Sequence, residues 1–317
     1  MSSRSARALC AAILIVSASP LAMAQPAPSA QSEAQAKAAA DAKFKAIEQS
    51  LHPQTGTVTI PAAHASLQLG EGYYYLPADE AKRVLTEGWG NPPDQVTSVL
   101  GMIFPSGKSF RDETWGAVVE YEDTGHVSDK DAASQDYNSV LADMKSSEEE
   151  SNKAAQQQGY AGSHIVGWAQ APTYDPATRT LIWARNIKFD GTNYNTLNYD
   201  VRTLGRTGVL SLNMVDSMDN LPTVRTAAKG LGSTIKFDSG SAYNDFNPST
   251  DKLADYGLAG LVAAGVGVAV AKKAGFLALL LVFAKKGIAL IVAGVIALGA
   301  WFKRRFGSGH QEEATGE

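Results

Sequence analysis

The chain has 317 residues, a formal net charge of −4 and one cysteine, Cys10. Between Gln25 and Tyr256 it carries 19 basic and 29 acidic residues, a balance that argues against binding nucleic acid or an anionic lipid surface. The same stretch has no cysteine, which excludes disulfides and thiolate metal sites from it.

Residues 1–24 have the layout of a secretory signal. Arg4 and Arg7 precede the apolar core ALCAAILIV, and Ala22-Met23-Ala24 forms a small-x-small cleavage site. Residues 25–54 read as a spacer, whose first part, 25–50, is rich in Ala, Gln, Lys and Glu with only Phe44 and Ile47 of any size. That composition leaves a mobile spacer and a solvated helix both open.

Residues 55–250 read as one extracytoplasmic α+β domain. Short strands are expected at 55–60, 65–69 and 72–76, then a helix over 78–87 closed by Gly88 as a left-handed cap. The loop Gly88-Trp89-Gly90-Asn91-Pro92-Pro93 is a strong breaker. Its Trp89 either packs back into the domain or, with Asn91, meets a partner protein. Strands at 99–104 and 114–121 follow. A helix over 132–145, capped by Ser128 or Asp129, places Ala133, Tyr137, Val140, Leu141 and Met144 on one face.

The stretch 163–215 reads as four antiparallel strands. A symmetric turn at Asp175-Pro176-Ala177-Thr178 pairs Gln170 with Trp183, Trp168 with Arg185, Val166 with Ile187 and His164 with Phe189. A turn at Arg206-Thr207 pairs Thr203 with Leu210, Val201 with Leu212 and Tyr199 with Met214. A one-residue bulge in the 190–195 loop then gathers Leu197, Tyr199 and Val201 onto the face of Trp183, Arg185 and Ile187. Asn186, Lys188, Asn198, Asp200, Arg202, Ser211 and Asn213 are left on the opposite, polar face. The expected class is α+β: an antiparallel sheet covered on one face by helices, followed by a C-terminal transmembrane helix.

Arg185 and His164 interrupt the apolar face. Arg185 could stack on Trp168 as a structural cation–π pair, or His164, Trp168 and Arg185 could line a pocket for an anionic ligand. No phosphate-cradling glycine loop, H-E-x-x-H or G-x-S-x-G is present. An enzymatic alternative is a hydrolase using His164 with a carboxylate such as Asp200 or Glu120. The run Glu120-Tyr121-Glu122-Asp123-Thr124-Gly125-His126 is either an oxygen-ligand cation site or a solvated strand end; no metal or other cofactor is expected.

Residues 257–306 are apolar runs broken by Lys272-Lys273 and Lys285-Lys286 and closed by Lys303-Arg304-Arg305. A spanning helix needs about 20 apolar residues. The run 285–303 suffices if its leading lysines sit at the interface, with the basic cluster marking a cytoplasmic tail at 304–317. A two-span hairpin would bury Lys272 and Lys273 at roughly 2.5–3.5 kcal/mol each. Residues 251–284 are therefore expected to lie along the membrane surface or re-enter it, with Gly257, Gly260, Gly265 and Gly267 permitting close helix approach.

The phrases GWGNPP, LGMIFP, TWGAVVEYEDTGHVSDKDA, GWAQAPTYDPATRTLIWARNIKF, LNYDVRTLGRTGVLSLNMV and FNPSTDKLADYGLAGLVAAGVG resemble the bacterial family of predicted membrane-anchored proteins known as domain-of-unknown-function family 2167. The resemblance implies a signal peptide, an extracytoplasmic domain and a C-terminal anchor, and brings no established activity. Together these readings point to a bacterial inner-membrane protein with a periplasmic domain. It would be held by lipid through 257–306 and would bind or scaffold an envelope protein; the alternatives are the hydrolase and an envelope sensor of a small anion.

Overall fold

The computed structural model describes residues 30–91, 93, 96–157 and 161–264. The chain divides into two compact units, 1–43 and 44–317. Residues 30–49 are helical (α1, Ala30–Gln49), so the alanine-rich spacer takes the helical alternative over that span. Within the second unit, the last turn of α1 packs through its two large residues. Ile47 is buried, and Phe44 meets Phe110 edge-on at 6.3 Å.

The second unit is organised by a nine-stranded sheet. Its main path runs β1 (Gln54–Ile60), β2 (Ala65–Pro77), β3 (Gly101–Pro105), β4 (Gly116–Glu122), β9 (Val209–Ser217), β8 (Asn195–Leu204), β7 (Thr180–Phe189), β6 (Ser163–Asp175), all antiparallel. The short β10 (Ile235–Phe237) adds to β2. The two strands expected at 65–69 and 72–76 are one continuous strand, in which Gly70 takes φ 61°. That left-handed value suits glycine, which has no Cβ to clash.

The β8–β9 hairpin has the expected register, with Thr203 opposite Leu210, Val201 opposite Leu212 and Tyr199 opposite Met214. The β7–β8 register differs. It runs unbroken from Thr180↔Thr203 to Lys188↔Asn195 with no bulge. Leu197, Tyr199 and Val201 therefore share a face with Asn186, Ala184 and Ile182 instead of with Trp183 and Arg185. Between β6 and β7, Trp168 does oppose Arg185, but irregularities on either side bring Ile165 opposite Ile187, His164 opposite Lys188 and Gln170 opposite Ala184.

Helices cover both faces, which corrects the expected one-sided cover. On the first face, Val224, Ala227, Ala228 and Leu231 of α5 (Leu221–Thr234) pack over Ile103, Ala117, Val119, Tyr199, Val201 and Leu212. The second face has two helix-covered apolar clusters, besides the small group Ile187, Phe189 and Val215. At the β2–β3 end, α2 (Ala78–Arg83) and the π turn Val84–Gly88 set Val84, Leu85 and Trp89 against Leu76, Met102 and Phe104. The left-handed residue after this turn is Gly90, at φ 77°, and not the expected Gly88. At the β6–β7 end, Met144 of α3 (Tyr137–Ser146) and Leu258, Leu261 and Val262 of α6 (Leu258–Ala264) pack on Leu181 and Trp183.

The helix expected over 132–145 starts later. Residues 126–128 form a strand, β5 (His126–Ser128), and the N-cap of α3 is Asp136, whose side chain accepts from Asn138 N–H and Ser139 N–H at 3.0 and 3.2 Å. A second helix, α4 (Glu148–Gln157), follows. Strand β11 (Leu253–Gly257) pairs in parallel with β5 and runs directly into α6. The folded unit thus extends past residue 250. Of the run expected at the lipid surface, 251–284, the described part holds β11 and the core side chains of α6. Among the described residues no helix is long and apolar enough to cross a membrane. The expected signal at 1–24, the spanning run at 285–303 and the tail at 304–317 lie outside the described residues.

Candidate functional site

Between the two apolar clusters of the second face lies a band of polar side chains from three adjacent strands. Because β7, β8 and β9 pair without a slip, Arg185 shares its face with Asn198, Asp200, Arg202, Ser211 and Asn213. Alternation alone would assign these to solvent. Arg185, Asn198 and Asp200 are in fact wholly buried, and Arg202 and Ser211 nearly so.

Buried charge is tolerable only when paired and hydrogen-bonded, and here the groups close on one another. Asp200 accepts from Arg185 Nη2 at 3.1 Å, Arg202 Nη2 at 3.4 Å and Asn213 Nδ2 at 3.0 Å. Arg202 also donates to Glu122, and Arg185 to Asn198. Asn198 Nδ2 donates to Asn213 Oδ1 at 3.0 Å. At the rim, Ser98 donates to Glu120 at 2.6 Å.

The electrostatics follow from this geometry. Burial pulls the Arg185 guanidinium below its ordinary pKa, with Asp200 opposing. Burial would do the same to Arg202, but Glu122, Asp200 and Glu120 outweigh it and raise the value. Glu120 is pushed up by burial and by its neighbour Glu122, against the hydrogen bond from Ser98. Three buried N–H donors on this face, Trp168 Nε1, Trp183 Nε1 and Arg202 Nε, find no acceptor among the described residues.

Of the three residues expected to line a pocket, Trp168 and Arg185 oppose one another across β6 and β7, and His164 stands apart. Arg185 sits inside the ion network. Trp168 is half-buried beside it, on the fringe of the α3–α6 cluster. His164 lies at the sheet's outer edge with its side chain 52% exposed, its Nε2 3.1 Å from Asp190 and its Nδ1 3.5 Å from Glu148. Its acidic neighbours are therefore those two residues and not Asp200 or Glu120. Arg202 lies over the Trp183 indole, 5.5 Å from the ring centroid. Trp89 is buried, donates its indole N–H to Phe110 O at 3.1 Å and packs edge-on against Phe104; Asn91 is buried as well. This geometry gives Trp89 the packing role and not the exposed one.

A second constellation escaped sequence reasoning. The Asp129 carboxylate accepts from Tyr174 Oη at 2.7 Å, Arg179 Nη1 at 2.6 Å and Tyr243 Oη at 2.9 Å. Burial would raise its pKa, but the two hydroxyls and Arg179 hold it below the ordinary carboxylate value. Arg179 lies over the Tyr243 ring at 4.6 Å. It takes a left-handed φ of 55°, a conformation that costs a side-chain-bearing residue strain. His126 is buried between Tyr243 and Phe246, with centroids 4.3 and 4.0 Å away. Sequence signals for this cluster were weak, since its members span residues 126–246 and Asp129 resembles a helix cap. Among the described residues no group of three or more His, Cys, Asp or Glu side chains could hold a metal ion.

Comparison with known proteins adds the following. No curated protein matches the chain. Among solved structures, the solution structure of cyanobacterial PsbP (CyanoP) from Synechocystis sp. PCC 6803 is similar over 59% of this chain and 92% of its own, at 10% identity and a TM-score of 0.32. A likeness of that size carries no argument about activity. The family model described as Protein of unknown function (DUF2167) matches residues 52–296, more than half of the chain, and the chain belongs to that family.

Proposed function

We propose that this protein is a membrane-anchored domain of the bacterial envelope that binds or scaffolds a partner protein. The carrying observation is that its strongest polar groups are consumed internally. Asp200 accepts three hydrogen bonds from Arg185, Arg202 and Asn213, and Asp129 accepts three from Tyr174, Arg179 and Tyr243. A general base must be able to reach a proton on substrate, and carboxylates occupied in this way serve the fold instead. The hydrolase reading would need His164 near Asp200 or Glu120, whereas its acidic neighbours are Asp190 and Glu148. Placement in the inner membrane, with the domain periplasmic and the C-terminus cytoplasmic, rests on the apolar runs of 257–306 and the Lys303-Arg304-Arg305 cluster.

The test is in-membrane cross-linking followed by purification, with a phosphatase reporter fused to the C-terminus. The expected result is one envelope protein recovered reproducibly and a silent reporter. A strongly active reporter, or recovery of no partner under any cross-linker, refutes the reading. A second reading, sensing of a small ligand, is favoured by the donors Trp168 Nε1, Trp183 Nε1 and Arg202 Nε, which find no acceptor among the described residues. A panel of small anions and small amides that leaves the melting temperature unmoved would remove it.

A further inference from the structure

Strand β6 ends the sheet, and among the described residues no strand lies beyond it. An edge strand presents backbone groups that invite another chain to pair. Here the first half of that edge is occupied by side chains placed where a neighbouring strand's backbone would be. Asn152 of α4 accepts from Ser163 N–H at 2.8 Å and donates to Ser163 O at 2.9 Å. Glu148 accepts from Ile165 N–H at 2.6 Å. The irregularity between Ile165 and Gly167 leaves Val166 O for Lys145 Nζ at 2.8 Å.

None of the described side chains of the helix that supplies Glu148 and Asn152 is buried. Its sequence, EEESNKAAQQ, contains no apolar residue larger than alanine. Glu149, Glu150 and Lys153 are exposed. Elements that bury little apolar surface open locally at low cost. The edge itself is not wholly polar: Val166 is 50% exposed, one of two large exposed hydrophobic residues among those described.

We propose that α4 is a displaceable clasp, and that the edge it holds is the docking position for an extended, basic segment of a partner chain. This rests on the scaffolding reading and names its surface. Strand addition takes its affinity from main-chain hydrogen bonds and its selectivity from alternate side chains. The preference for a basic segment comes from the acidic balance of the domain, 29 acidic against 19 basic residues between Gln25 and Tyr256.

The experiment uses the full chain in detergent and three synthetic peptides: an alternating Lys-Val peptide, its backbone N-methylated form, and an alternating Glu-Val peptide. The Glu148→Ala/Asn152→Ala variant removes the clasp contacts. Amide exchange at Ser163 and Ile165 should speed up while the β8–β9 amides keep their protection, which shows that the fold is intact. Lys-Val affinity should rise by about tenfold or more, the other two peptides should not bind, and adding Val166→Lys should abolish the gain. Unchanged exchange at Ser163 and Ile165, unchanged Lys-Val affinity, equal binding of the N-methylated peptide, or a gain that survives Val166→Lys would each overturn the proposal. Failure to recover a partner from membranes, with the peptide results as expected, would instead remove the scaffolding reading and leave the edge as a strand-binding site.

Discussion

Substituting Asp200 with asparagine tests the ion network most directly. The residue is wholly buried and joins Arg185, Arg202 and Asn213 through contacts of 3.1, 3.4 and 3.0 Å. Asparagine preserves the volume but removes the charge, leaving Arg202 with Glu122 as a carboxylate partner and removing the ion pair that Arg185 makes with Asp200. Breaking a buried ion pair from one side costs about 3–5 kcal/mol, a large part of the ~5–15 kcal/mol that holds a domain together. For a domain of this size each kcal/mol moves Tm by about 2–4 °C, so a fall of about 6–20 °C is expected. Circular-dichroism melts and urea titrations of the variant and the parent would measure it. The companion Arg185→Leu/Asp200→Leu should be less destabilised than Asp200→Asn, because removing both charges leaves neither unpaired. A melting temperature within 2 °C of the parent for Asp200→Asn would mean that water or other groups carry these charges, and the account of the network would fail.

Three further outcomes are expected. Trp89→Ala should cost about 3–5 kcal/mol by urea titration, because it removes a buried indole that fills the α2 cluster and bonds Phe110 O. Gly116→Ala should destabilise by about 1–3 kcal/mol in the same assay, because its Cβ would stand 2.7 Å from Trp89 Cη2 and 2.8 Å from Phe104 Cε1. The pH dependence of the melt should carry a histidine signature from His126. Burial lowers its pKa against the backbone contact at Arg206 O, so the unfolded chain takes up the proton more readily than the folded one. Its contribution is therefore complete above about pH 6.5 and declines as pH falls toward the lower folded-state value. His126→Gln should flatten that limb, and an unchanged slope would contradict the assignment.

How much of this fold could be read from residues alone varied with the kind of interaction. The β8–β9 register was legible because Val201, Tyr199, Leu210, Leu212 and Met214 alternate around a short turn between Gly205 and Gly208. The β7–β8 register was not. A sheet with one wet face requires a bulge there, since alternation alone places Asn198, Asp200 and Arg202 in solvent. Periodicity counts polarity and cannot tell a solvated charge from one matched across a strand. Alternation leaves Arg185 as an anomaly of an apolar face; its company of Asp200 and Arg202 becomes visible only once the strands are aligned without a slip. The Asp129 cluster was hidden for another reason, because its members come from separate loops and strands that only the finished topology brings together.

The passage from β11 into α6 has a mechanical consequence. Gly257 ends the strand and Leu258 begins the helix, with no residue between them. Leu258, Leu261 and Val262 are gripped in the same cluster as Trp183. A tug on the chain at Ala264 is therefore not absorbed by a slack linker. It loads the parallel β5–β11 pair along its length, as shear, and is shared through the side chains of α6 with the sheet.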